Sequence, residues 1–146
     1  GFAFAGEGET LGEVVFNTSM NGYVNLEFSG LDTDIAEING TQNLLVRWDY
    51  YSIDSNVTAL FDMDITAADV TIQQVPNYGW SSGCPTDGTV DIDLCVSYSL
   101  DTGFGPDLKV KVWNCAIAFN DGVATVALTS DNETWSYTRE VCVPVE

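Results

Sequence analysis

Apolar and polar residues alternate with period two along most of this chain. Val24, Leu26 and Phe28 alternate with Tyr23, Asn25 and Glu27. Leu44, Val46, Trp48 and Tyr50 alternate with Asn43, Arg47 and Asp49. Val57, Ala59, Phe61, Met63 and Ile65 share one face of the next run. Val90, Ile92, Leu94, Val96 and Tyr98 stand opposite Thr89, Asp91, Asp93 and Ser97. Such alternation is the mark of a strand with one face turned to a core. In the run of Leu108, Val110 and Val112, Trp113 and Ile117 fall on the other face, which predicts a strand buried on both sides. Ala124, Val126 and Leu128 follow, then Trp135, Tyr137, Val141, Val143 and Val145 with Cys142 opposite.

Turn signals separate these runs. Asn39-Gly40 and Asn120-Asp121-Gly122 are hairpin-like. Asp54-Ser55-Asn56 and Thr129-Ser130-Asp131-Asn132 are polar turns. Pro76 to Gly88 and Ser99 to Asp107 read as longer loops, and Asp32 to Ile38 as a single helical turn. No run of helical length has period 3.6. Eight or nine short strands with regular turns predict an all-β, antiparallel β-sandwich, Ig-like by default. Residues 13–146 form that domain. Residues 1–12 stand apart: Phe2 and Phe4 alternate with small residues ahead of a glycine-rich joint. A terminal strand with two bare aromatic rings needs cover, from its own sheet or from a neighbour's edge. The expectation is donation to the next subunit, with Phe2 and Phe4 as the polymer contact.

Length and charge narrow the function. The 146 residues are enough for one core. Against 22 acidic residues stand 4 Lys or Arg and no His, a formal charge of −18. Ser-His and Cys-His nucleophiles are excluded, as is His-ligated zinc. Nucleic acid and anionic membrane surfaces find no basic patch. No apolar stretch is long enough to span a membrane as a helix. The N-terminus reads as a processed one, which predicts export.

Candidate chemistry is sparse. Cys84, Cys95, Cys115 and Cys142 lack metal-ligand spacing, and an even count in an exported chain predicts two disulfides. Three pairings are open, and 84–95 with 115–142 is favoured for its local loops. Asn17, Asn39, Asn56 and Asn132 begin glycosylation sequons. Asp62, Asp64 and Asp69, with Asp91 and Asp93, place carboxylates on shared strand faces, where calcium would relieve their repulsion. No cofactor is required. Asp101-Thr102-Gly103 matches the aspartic-protease tripeptide, but Phe104 follows where that family has a small residue, so it reads as a hairpin loop. Tyr78 and Trp80 are the best candidates for an aromatic sugar platform; Trp48, Trp113 and Trp135 read as core.

The whole profile resembles archaeal cell-surface structural proteins: sheath, S-layer and extracellular filament subunits. The features in common are few cations, abundant Asp and Thr, sequons and paired cysteines on an all-β pattern. The resemblance is compositional and spans the chain. It implies a non-enzymatic, extracellular, glycosylated subunit that forms a homopolymer through β-edge pairing or donated strands. The alternative reading is a monomeric secreted carbohydrate-binding or adhesion module.

Overall fold

The computed structural model describes residues 1–7, 15–52, 54–75 and 79–142, though not the side chains of Phe4, Glu7, Val75, Gly79, Ser81 and Ser82. Eight strands follow one another: β1 (Phe2–Glu7), β2 (Val15–Ser29), β3 (Ile35–Tyr51), β4 (Asn56–Val75), β5 (Gly79–Asp101), β6 (Pro106–Asn120), β7 (Val123–Ser130) and β8 (Glu133–Glu140). Each pairs antiparallel with the strands before and after it, in one eight-stranded meander. The all-β, antiparallel class expected from the sequence is found. The pairing adds a finer point. Every strand lies beside its sequence neighbours in one open sheet, consistent with the sandwich-like class. Substantial contacts run only between adjacent strands.

Three expectations about local structure are corrected. Residues Asp32 to Ile38 hold no helical turn. A turn at Gly30, closed by the Thr33 amide and hydroxyl on the Gly30 carbonyl, leads into β3 at Ile35. The expected loop from Pro76 to Gly88 is strand from Gly79 onward, because β4 pairs with it through several bulges. Its glycines and Pro85 signalled irregularity, and bulges supply it without ending the ladder. The other expected loop shrinks to residues 102–105.

The register sorts side chains onto two faces, since antiparallel partners point the same way. One face gathers Phe16, Met20, Val24, Leu26 and Phe28 from β2 with Leu44, Val46, Trp48 and Tyr50 from β3. It continues through Phe61, Met63 and Ile65, then Val90 to Tyr98, then Trp113, Ile117, Val126, Leu128, Trp135 and Tyr137. The phase of β4 changes after Ala67, where Val70 and Ile72 replace odd positions with even ones. A register shift between Ile38 and Gly40 absorbs that change and keeps both on the apolar side. Gly40, at φ 137°, and the Asn39 side chain, which accepts the Asp69 amide at 2.6 Å, shape this bulge.

Among the described apolar residues only Ala36, Val70 and Ala124 are buried. The expected tryptophan core is therefore corrected: Trp48 and Trp135 sit on the apolar face and stay 44% and 47% exposed, uncovered by the described strands. The expectation that β6 is buried on both sides also fails. Leu108, Val110 and Val112 are exposed on the polar face.

Candidate functional site: an open apolar face and two sheet edges

The apolar face is the dominant feature. In the paired stretches of β2 to β5 it carries no charged side chain, and the described acids lie on the opposite face, in turns and at the margins. Phe28 keeps 51% of its surface, Trp135 47% and Tyr137 58%. The total accessible surface is 9869 Å², about 2,500 Å² more than a compact monomer of this mass exposes. Soluble monomers rarely show an apolar patch beyond roughly 300–600 Å². Edge-to-face packing of Trp48 on Phe61, with ring centroids 5.0 Å apart, and the Trp113–Trp135 pair at 6.4 Å organise this surface from within.

The sheet ends in stepped edges. On one side β1 pairs with only part of β2, from Phe2↔Gly22 to Glu7↔Asn17. The Phe2 ring lies over Gly22, and Tyr23 to Ser29 have β3 alone as a described partner. The N-terminal strand thus pairs within its own chain here; the side chain of Phe4 is outside the described residues. On the other side β6 meets β7 only from Asn114 on, so its first half is open. At the tip of the β5–β6 hairpin Phe104 is fully exposed between Gly103 and Gly105.

The cysteines pair differently from the favoured reading. Cys84 bridges Cys142, with Cα atoms 5.3 Å apart, and Cys95 and Cys115 are free. The register shows why 84–95 and 115–142 do not form. Cys95 lies opposite Val112 and Cys115 opposite Ile92, on opposite faces of the sheet. A disulfide needs Cβ atoms on one side and close together, so these two cannot join within the chain either.

The polar face holds the acidic pairs. Asn43, Asp64, Asp93 and Asn114 form one row across four strands. Asn43 donates to Asp62 at 3.1 Å and Asp64 at 3.0 Å, and Asn114 to Asp93 at 2.9 Å. Amides thus relieve part of the repulsion for which calcium was expected. Asp91 lies nearby on the same face, while Asp69 sits apart in the bulge at φ 51°. Among the described residues no group of three or more His, Cys, Asp or Glu is arranged to hold a metal ion.

Asp49, also on the polar face, is held in an ion pair. Its carboxylate accepts two bonds from Arg47, at 2.7 and 2.9 Å, and one from the Thr58 hydroxyl at 2.7 Å. The Arg47 bond, assisted by Thr58, holds the Asp49 carboxyl below the usual range despite partial desolvation. The Arg47 pKa is raised by the same contact. A lowered folded-state pKa gives stability that is complete above the unfolded value near 3.9 and is lost as pH falls through the folded one. With Arg47 half exposed, the pair is worth no more than about 1 kcal/mol. Asp49→Asn should therefore lower the melting temperature slightly at pH 7, and the difference should fade as pH drops below the ordinary carboxylate range. Melting curves from pH 2 to 7 check this; a constant difference would assign the effect to something other than charge.

The remaining candidates are dispersed. Asn56 and Asn132 are exposed beside turns, whereas Asn17 lies within the β1–β2–β3 ladder and the Asn39 side chain is engaged with Glu37 and Asp69. Asp101 accepts the Gly103 amide at 2.8 Å, a local loop bond. Tyr78 lies outside the described residues, and Trp80 is half-buried in β5. No described helix is long and apolar enough to cross a membrane. Comparison with protein-family models, with curated proteins and with solved structures finds no match.

Proposed function

We propose that this protein is a non-enzymatic structural subunit of an extracellular polymer, whether filament, sheath or surface layer. Its copies join by edge pairing or strand donation. The observation that carries this reading is the uncovered apolar face. A face that leaves Phe28, Trp48, Trp135 and Tyr137 each more than 40% exposed is unusual for a monomer, so it suits a subunit whose contacts lie on that face. Open sheet edges recruit strands, and here they are long. The long-range disulfide and the exposed sequons at Asn56 and Asn132 fit an oxidising, glycosylating environment.

Light scattering and electron microscopy of the native protein test the proposal. Extended assemblies are expected, and a stable monomer at high concentration would instead favour a secreted binding module. Strand donation would exchange the β1–β2 pairing within one chain for the same pairing between chains. Deleting residues 1–10 is then expected to leave a folded protein with assembly strongly reduced. Unchanged polymers, measured by sedimentation, would move the contact to the other edge or to the apolar face.

A further inference from the structure

Resting on the polymer reading above, we propose that the open half of β6 is a self-docking edge that receives the β7–β8 hairpin of a second copy, related by a two-fold axis perpendicular to the sheet. The β6 strand has β5 along its whole length, but β7 begins to pair only at Asn114. Residues Pro106 to Val112 therefore border a recess two strands deep, the depth that β7 and β8 fill farther along. The Asp131–Asn132 turn closes its upper end, where Lys111 meets Asp131 at 3.2 Å and Ser130 donates to the Val112 carbonyl at 3.0 Å.

That last bond fixes the direction of the backbone. The Val112 carbonyl points away from β5. In an antiparallel ladder a residue's N–H and C=O point to the same side, and the side alternates with period two. Val110 and Leu108 thus also aim their N–H and C=O groups into the recess, with no described strand to receive them. Both side chains are among the most exposed apolar ones.

A second copy fits for three reasons. First, β6 and β8 run in the same direction, so a half-turn in the plane of the sheet sets the second β8 antiparallel to the first β6. Second, the hairpin is two strands wide, and both copies then insert and receive at once, giving two equivalent ladders in an isologous contact. Third, the charges are complementary. The open half of β6 carries Lys109 and Lys111, half of the chain's cations, with Asp107 3.7 Å from Lys109; every residue of β8 is exposed, Glu133 opening it and Arg139 lying near its other end. The half-turn leaves the apolar faces on the same side. There Lys109 and Lys111 come beside Glu133 and Trp135, which point to that face. The chain already uses such contacts internally, with Lys111 4.7 Å from the Trp113 ring centre. Edge lysines normally repel added strands; set against the Glu133–Trp135 end of β8, with Arg139 held at the far end, they favour one register.

Val110→Pro is the test, because it removes an outward N–H that no described group accepts and should leave the fold intact. With wild-type protein assembling, the variant should need at least tenfold higher concentration to reach the same sedimentable fraction. Lys109→Glu should do likewise, and adding Glu133→Lys to it should restore assembly. If wild type assembles and Val110→Pro, with an unchanged far-ultraviolet spectrum, assembles equally well, this edge is not the contact while the polymer reading stands. If Val110→Pro misfolds, the charge reversal and its rescue decide. Wild type that stays monomeric overturns both readings.

Discussion

Replacing Leu94 with Glu is expected to abolish assembly while leaving an eight-stranded protein. Leu94 lies at the centre of the apolar face, paired with Met63 on one side and Trp113 on the other. In the isolated chain it is partly open to water, so a carboxylate there keeps much of its hydration. Once another surface covers the face, the charge must be desolvated without a partner, which costs several kcal/mol. Each 1.4 kcal/mol is a factor of ten in affinity. The concentration needed for assembly should therefore rise by at least a hundredfold. Ser97→Glu, on the opposite face of the same strand, is the control and should have little effect. A Leu94→Glu protein that sediments like wild type would show that the apolar face is not buried in the polymer. The edges would then carry the whole contact.

What the sequence made legible was governed by local rules. Period-two alternation located the central parts of β2 to β8, because one apolar face needs no information beyond its own strand. Turn chemistry placed the hairpins at Asn120-Asp121-Gly122 and Asp131-Asn132, where positive φ values are found. Alternation does not say what covers the face it defines, and so Trp48 and Trp135 were assigned to a core that a single sheet does not provide. The Gly79–Gly88 stretch was misread for a related reason. Glycines and a proline mark bulges as well as loops, and only the pairing with β4 distinguishes the two. Cysteine connectivity needs the cross-strand register. Cys84 and Cys142 are far apart in the chain, and the meander brings them together at one end of the sheet. The proposed self-association was legible only as an expectation, from a terminal strand with two bare aromatic rings, Phe2 and Phe4. Its location was not: Leu108, Val110 and Val112 read as core, and their exposure follows from β7 and β8 being shorter than β6.

Reducing the Cys84–Cys142 bridge should destabilise the fold by about 4 kcal/mol, the loop-entropy value for a separation of 58 residues. The effect is large for this protein because little else joins its distant parts. Among the described strands substantial contacts run only between neighbours, and few apolar side chains are buried. The bridge ties the segment after β8 back to the β4–β5 region and so closes a loop that includes β6, β7 and β8. Gly122 sets the geometry. It is buried, at φ 77°, and a Cβ there would approach the Cys142 sulfur to 2.6 Å and its Cβ to 2.9 Å. Gly122→Ala should therefore destabilise the oxidised protein strongly. In the reduced protein it should cost only the backbone strain of a non-glycine residue in this conformation, roughly 1 kcal/mol. Denaturant titration of both proteins with and without reductant measures the coupling. Alkylation completes the test, with two thiols expected to react in unfolded, unreduced protein, those of Cys95 and Cys115. On the assembled protein Cys95, on the polar face, should react first, while Cys115, beneath the covered apolar face, should be protected. Equal reactivity of the two in the polymer would place the apolar face in contact with solvent, and no labelling at all in the denatured chain would mean that a second bridge exists.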